Sequence, residues 1–340
     1  MIFKKMLKNL ITINSFIFLI VFSSSSLFAN NLEFSLWVDD FKRNAISSGI
    51  SKNVVDDVMS TARFLPKVIE YDRYQPEFYE DTFTYIKKRT NSKKVKKGLA
   101  LYKKEKIIID KVGSNFLVEK ELLLALMGIE TNFGKYLGKM DIISSLATLS
   151  FDKRRSEFFT SELLILLNLI DKDIIKKDIL FGSWAGAFGN FQFMPRTIKN
   201  YAIDYNNNKT IELKNIEDSF ASAANYLNKI GWKKNMPCYT KIKLKSDIPK
   251  KYLNSSARKI KNKKKVKFFK KYIDNSDQLG VDDNLLSAII TPDKDIIPGS
   301  NTYTPAYLVY SNYEKILQWN RSLRFALAVC TLKNNFKNEI

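Results

Sequence analysis

The chain has 340 residues, 45% of them hydrophobic, enough apolar material for one large domain or two smaller ones with a real core. It contains no histidine and only Cys238 and Cys330, in no close-spaced pair. That excludes Ser-His-Asp and Cys-His nucleophiles, histidine-ligated metals, zinc clusters and thioredoxin-type redox chemistry, and leaves a disulfide open. The formal charge of +21 suits an anionic partner.

Residues 1–29 read as a secretory signal: Lys4, Lys5 and Lys8, an apolar stretch from Leu10 to Phe22, then serines and a cut after Ala29. The stretch is shorter than the ~20 residues that cross a bilayer, so no integral membrane span is expected. No cysteine follows it to carry a lipid. Loss of the three signal lysines leaves a charge of +18, and export argues against nucleic acid as the partner. The lysines at 93, 94, 96 and 97, and those from Arg258 to Lys271 around Phe268 and Phe269, read as a solvated face.

Phe34, Leu36, Trp37, Phe41, Ala45 and Ile50 recur at helical spacing, and Val54, Val55, Val58 and Met59 continue a second amphipathic segment. Asp72 to Phe78 breaks the pattern at Pro76 and reads as a turn, and a charged helical stretch runs from there to about Val112. Glu119 to Glu130 is the most apolar helical run, opened by acidic residues and followed by Thr131, Asn132, Phe133 and Gly134. Phe158 to Ile170 and Asp218 to Ile230 are further helices, the second closed by Gly231 as a left-handed cap.

The texture changes near Met236. Tyr239 to Lys245 alternates polar and apolar as a half-exposed strand does, and prolines and lysines punctuate the residues after it. Residues 236–304 read as a small mixed α/β insertion. The chain then returns with Tyr307 to Tyr310 and a final helix from about Ser322 to Leu332. The fold class is mainly α.

Two segments carry candidate chemistry. A carboxyl group at Glu130, at the end of so apolar a helix, is expected against a dry wall, where burial favours its neutral form and supplies a general acid. The alternative is a cap or ion pair on the rim of the core. Phe181 to Pro195 packs glycines and aromatics into one loop, suited to close backbone approach and to apolar platforms for sugar rings. Its spacing matches neither nucleotide fingerprint.

The segments Gly128 to Gly134, Leu146 to Phe151 with Arg154 and Arg155, Gly182 to Ala187 with Gly189, Gln192 to Pro195, and Ala224 to Tyr226 with Gly231 and Trp232 resemble, in order and spacing, the lytic murein transglycosylase B family. The resemblance extends more loosely to Asp72–Phe78 and to Trp319 through Ser322. It implies a lysozyme-like helical catalytic domain over 30–235 and 305–336 with the 236–304 subdomain inserted, in an exported, periplasmic protein. It also implies cleavage of the bond between N-acetylmuramic acid and N-acetylglucosamine without water as acceptor, leaving 1,6-anhydro ends.

By the same resemblance Glu130 is the single catalytic acid and base. Ser183, Gln192 and Phe193 line the cleft, and Tyr226 and Asn320 hold the substrate. Trp319 and Phe325 stand where tyrosines are often found, so hydroxyl contacts there are lost or moved. Arg154 and Arg155 lie where the family meets the anionic stem peptide, unless they form a surface ion pair. Asp204, Asn206, Asn208 and Thr210, with Asp218, resemble the EF-hand-like calcium loop of some members, although Lys209 replaces the expected glycine. No cofactor is required, and calcium is the one this loop admits. The partners implied are peptidoglycan glycan strands and, beyond them, wall-synthesis or secretion machinery. Competing readings are a lysozyme-type peptidoglycan hydrolase and an inactive wall-binding module.

Overall fold

The computed structural model describes residues 31–74, 79–177, 180–294, 299 and 304–340; the signal expected over 1–29 and residues 75–78 of the expected turn lie outside them. Helices α1 (31–47), α2 (Lys52–Met59) and α3 (Pro66–Arg73) open the chain. The charged stretch expected to run unbroken is two helices, α4 (Thr82–Arg89) and α5 (Ser92–Asn115). Asn91 makes the break, because its side-chain oxygen accepts the Lys94 N–H and starts a new N-terminus.

Helix α6 (Lys120–Thr131) occupies the centre. Leu122 through Gly128 are all buried, so this helix is enclosed on every face, not amphipathic. Each fully buried leucine or methionine side chain there contributes roughly 1.5–3 kcal/mol. The helix expected to end at Glu130 ends at Thr131, and Asn132 (φ 51°) and Phe133 (φ 63°) lie in the left-handed region ahead of Gly134 (φ 78°). Asparagine tolerates that region, and Phe133 is held in it by packing. A Cβ on Gly128 would meet the Phe133 ring at 2.7 Å, and the ring also meets Phe336 edge-on at 6.4 Å.

Around α6 lie α7 (Ile142–Phe151), α8 (Ser156–Asp171), α9 (Pro195–Tyr201) and α10 (Ile216–Lys229), the last capped by Asn215 and followed by Gly231 at φ 83°, as expected. The short ladder of β1 (Met140–Asp141) with β2 (Phe181–Gly182) fastens the glycine-rich loop beside α7.

Residues 236–304, expected as an insertion, share one sheet with the segment that follows them: β3 (Tyr239–Ile242), β4 (Leu253–Asn254), β5 (Lys264–Lys265), β6 (Leu286–Ile290) and β7 (Ala306–Val309), with a short helix α11 (Val266–Phe269). The strand order is β3-β7-β6-β4, with β5 paired to β6. The segment 306–309 is therefore an interior strand of this sheet. Its side chains alternate: Tyr307 and Val309 join the main core, while Ala306 and Leu308 join a second, smaller cluster with Phe269 and Ile289. The sheet is thus a wall between two cores.

Two closing helices complete the chain. Sequence patterning did not anticipate α12 (Ser311–Trp319), and α13 (Leu323–Lys337) runs five residues past its expected end. Cys238, ahead of β3, is disulfide-bonded to Cys330 on α13, 92 residues away, which ties sheet to helical core. Among the described residues no helix is long and apolar enough to cross a membrane.

Candidate active site

Glu130 lies in the last turn of α6 and is partly exposed. Its Oε1 accepts the indole N–H of Trp319, the last residue of α12, at 3.0 Å. The Trp319 ring stacks on Tyr226 from α10 (5.0 Å, 20°) and meets Phe193 (5.4 Å) and Phe191 (6.2 Å) edge-on. Tyr226 stacks in turn on Tyr201 (4.3 Å, 18°) and donates its hydroxyl to the Gln318 carbonyl at 3.0 Å. Burial, with the Tyr201 phenol beside it, pushes the Tyr226 phenol up to about 12. An apolar aromatic wall beside a carboxyl group suits a glycan-binding cleft.

The glycine-rich loop is held against the end of α6. Thr131 Oγ1 donates to the Asn190 carbonyl at 2.8 Å, and Gln192 Nε2 donates to the carbonyls of Leu137 (3.2 Å) and Gly189 (3.1 Å). Ser183 Oγ accepts the Ala187 N–H at 3.0 Å. Gly189, at φ 80°, could not carry a side chain, because a Cβ would fall 2.5 Å from that of Leu213. Of the residues singled out in the sequence, Glu130, Trp319, Tyr226 and Phe193 join in one cluster through direct contacts. Gln192 and Ser183 brace the loop beside it, and Asn320 follows Trp319 as the C-cap of α12.

Arg154 and Arg155 belong to another group. Arg154 Nε donates to Asp72 Oδ2 at 2.8 Å, with Nη2 to the same carboxylate and to the Asp72 carbonyl at 2.8 Å. Arg155 approaches Oδ1 at 3.4 Å and lies over the rings of Phe158 and Phe159, 4.8 Å from each. The Asp72 side chain is buried while both arginines stay over 40% exposed, so an anchored pair of cations faces solvent.

In the loop from Asp204 the oxygens expected to meet calcium accept the loop's own backbone N–H groups. Asp218 is fully buried and accepts the N–H groups of Tyr205 (2.9 Å), Asn206 (3.4 Å) and Glu212 (2.9 Å). Asp204 accepts those of Asn208 (3.0 Å) and Lys209 (2.7 Å). The side-chain oxygens of Asn206 and Asn208 accept the N–H groups of Asn208 (3.1 Å) and Thr210 (3.0 Å). The ligand oxygens close the loop on itself, whereas calcium needs six to eight oxygens turned toward one point. Among the described residues no three acidic or cysteine side chains could hold a metal.

Two features carry no signal in the sequence. Lys94 on α5 donates to the Gly128 carbonyl at 2.7 Å, in the turn that carries Glu130, and burial, with Arg89 and Lys97 nearby, pushes its ammonium down to about 8. At the far end of α6 a cavity of about 1020 Å³ opens beside Glu119, Lys333 and Asn235. Among its lining residues Glu119 and Lys333 form an ion pair at 2.9 Å whose carboxylate also takes the N–H groups of Trp232 and Asn235.

The family model for the transglycosylase SLT domain matches residues 33–334. The membrane-bound lytic murein transglycosylase B of Escherichia coli (strain K12) is 30% identical over 217 residues, 61% of this chain and 59% of that protein, so the match spans about three-fifths of its length. Among solved structures, SltB3 from Pseudomonas aeruginosa in complex with NAG-anhNAM-pentapeptide is similar with a TM-score of 0.78 and 28% identity, over 89% of this chain and 79% of that one. The Escherichia coli lytic transglycosylase Slt35 in complex with calcium is similar with a TM-score of 0.72 and 25% identity, over 92% and 95%.

Proposed function

The chain belongs to the transglycosylase SLT domain family, and from that premise we propose that it is a peptidoglycan lytic transglycosylase with Glu130 as its acid and base. The observation that carries this is the partly exposed Glu130 carboxyl group set against the aromatic cluster of Trp319, Tyr226 and Phe193. Glycosidases commonly use two carboxylates. Here one suffices because the substrate supplies the rest.

Glu130 gives its proton to the oxygen between N-acetylmuramic acid and N-acetylglucosamine as the bond to C1 breaks, and the muramic N-acetyl carbonyl shields the positive C1. The Glu130 carboxylate then takes the proton of the muramic C6 hydroxyl, whose oxygen closes on C1 to form the 1,6-anhydro ring. The proton returns to Glu130 and no water is consumed. Trp319 offers a face to the sugars, with Phe193, expected to line the cleft, buried edge-on behind it; Asn320, Ser183 and Gln192 line the cleft, and Arg154 and Arg155 meet the carboxylates of the stem peptide. The setting is the periplasm, reached through the signal at 1–29, with glycan strands as the partner.

Mass spectrometry of products released from purified peptidoglycan tests it. Anhydro-muropeptides, absent from a Glu130→Gln digest, are the expected result. Reducing-end products would make the protein a hydrolase, and no products from either would make it a binding module. Arg154→Ala with Arg155→Ala should raise KM on peptide-bearing strands and leave peptide-free strands unaffected.

A further inference from the structure

The positive charge of the chain is unevenly placed. Residues 241–271 hold 14 lysines and arginines against one acidic residue, Asp247. Lys263 is paired with Glu314 and Lys270 with Asp283, each at 2.6 Å; the other twelve are exposed and, among the described residues, make no ion pair. Residues 272–285 add four aspartates, and of these Asp283 alone reaches a member of the group. We propose that this region is a docking face for an anionic phospholipid surface, centred on Lys251, Lys264 and Lys271.

Three separate segments bring those lysines together. Tyr252, Val266 and Phe269 are buried in the second core cluster, which turns the residues beside them outward. The half-buried Phe268 is the hub: its ring meets Tyr252 at 5.3 Å and Tyr272 at 6.1 Å. The ammonium groups of Lys264 and Lys271 lie over it at 5.7 and 5.2 Å. Lys271 also lies 4.8 Å from the Tyr272 ring, and Lys251 lies 5.3 Å from the Tyr252 ring. A lysine stem laid along an aromatic ring keeps its charged head in water. The rings thus gather three cations that, among the described residues, have no counter-charge.

The kind of cation identifies the partner. Thirteen of the fourteen are lysine. Arginine's planar fork suits bidentate recognition of one carboxylate or phosphate, whereas lysine acts as a compact point charge. Arg154 and Arg155, anchored on Asp72, have the first character. Loosely held lysines around half-buried rings have the second, and match a sheet of many headgroups: each lysine near an anionic bilayer adds attraction without a fixed geometry, and aromatic rings sit at headgroup depth. The face lies on the side of the sheet that carries the second cluster, while Tyr226, Phe193 and Trp319 pack with the main core on the other. Lipid bound there leaves the cleft open to glycan, and the inference requires nothing of the reaction proposed above.

Vesicle flotation of the protein purified after export tests it, with phosphatidylcholine vesicles alone and with about one-third phosphatidylglycerol. Expected is binding to the anionic vesicles only, weakening as salt rises. Lys251→Gln, Lys264→Gln and Lys271→Gln together should weaken it by ~10²-fold, while arginine at the same three positions should retain it. Removing equal charge elsewhere, by Lys93→Gln, Lys96→Gln and Lys97→Gln on α5, should change it by less than ~3-fold. All six side chains are exposed, so these substitutions leave the fold intact. Equal weakening by the two triples would reduce the effect to net charge and overturn the inference, as would anionic vesicles left unbound. In that last case, co-sedimentation with peptidoglycan lost in the first triple alone would assign the face to the carboxylates of the wall.

Discussion

Helix α6 carries a glutamate at each end, and each accepts an indole N–H: Glu119 from Trp232 at 2.6 Å, Glu130 from Trp319 at 3.0 Å. Only surroundings separate them. Glu119 is 8% exposed and also holds the Lys333 ammonium and the Asn235 N–H. Burial alone would push its carboxyl up, but the Lys333 charge and the three hydrogen bonds outweigh it and hold the group below the ordinary 4.5. Glu130 remains partly exposed beside the aromatic cluster of Trp319, Tyr226 and Phe193. A buried carboxylate locked by an ammonium and two N–H groups is structural; a partly exposed one beside an aromatic wall can exchange protons with a ligand.

The sharpest way to break this contrast is to neutralise each glutamate in turn. Glu130→Gln should lower turnover by ~10²-fold or more, the scale of a lost proton transfer, with the melting temperature unchanged. Glu119→Gln should do the reverse. It leaves the 9% exposed Lys333 without its counter-charge, costing about 3 kcal/mol in denaturant unfolding while activity per folded molecule holds. The pH dependence takes its sign from the same shift. Because the folded-state value of Glu119 is depressed, its stabilisation is present above about 4.5 and is lost as pH falls through the lower folded value, a slope Glu119→Gln should lack. Loss of activity in folded Glu119→Gln would collapse the distinction.

The same end of α6 is fastened covalently. Cys330 lies one turn before Lys333 on α13, and Cys238 lies three residues after Asn235, so the disulfide secures two partners of Glu119. Replacing both cysteines by serine should cost about 2–4 kcal/mol, since the bridge closes a long loop in the unfolded chain. Urea unfolding with and without reductant measures it; equal midpoints would mean that the polar network alone holds this end.

How much of this was legible depended on range. The apolar run of α6, the glycine-rich loop and the glutamate at the helix end are local patterns, and each is visible in the sequence alone. Asn91 was also visible as a cap residue, but the lysines on both sides made one helix look continuous. Residues 306–309 read as returning to the helical core because half of them do face it; their place inside the sheet depends on distant upstream partners, through pairs such as Val309 with Ala288, 21 residues before it, and Ala306 with Ile242, 64 residues before it. The bonds from Lys94 to Gly128 and from Trp319 to Glu130 join elements far apart in sequence, and no spacing rule signals them. A tryptophan where tyrosines are often found suggested only a lost hydroxyl, whereas its N–H reaches the acid.

The smallest expected effect sharpens the contrast furthest. Asp218 resembles Glu119, since its oxygens accept three backbone N–H groups at zero exposure. Yet the loop keeps the shape of a calcium site, with Lys209 at φ 71° where that loop type places glycine. If the oxygens are consumed by the loop itself, calcium binds with Kd above ~10 mM, and 1 mM calcium adds under ~0.1 kcal/mol, a melting shift well below ~1 °C. Asn206→Asp, Asn208→Asp and Lys209→Gly together add two anions and remove a cation and the strained φ. A calcium-dependent melting shift in that variant alone would show that charge and backbone strain, not the position of Asp218, set the affinity. A shift of several degrees in the unmodified protein would mean that Asp218 and Asp204 can release their N–H partners to a cation, and filled oxygens would no longer mark a carboxylate as structural.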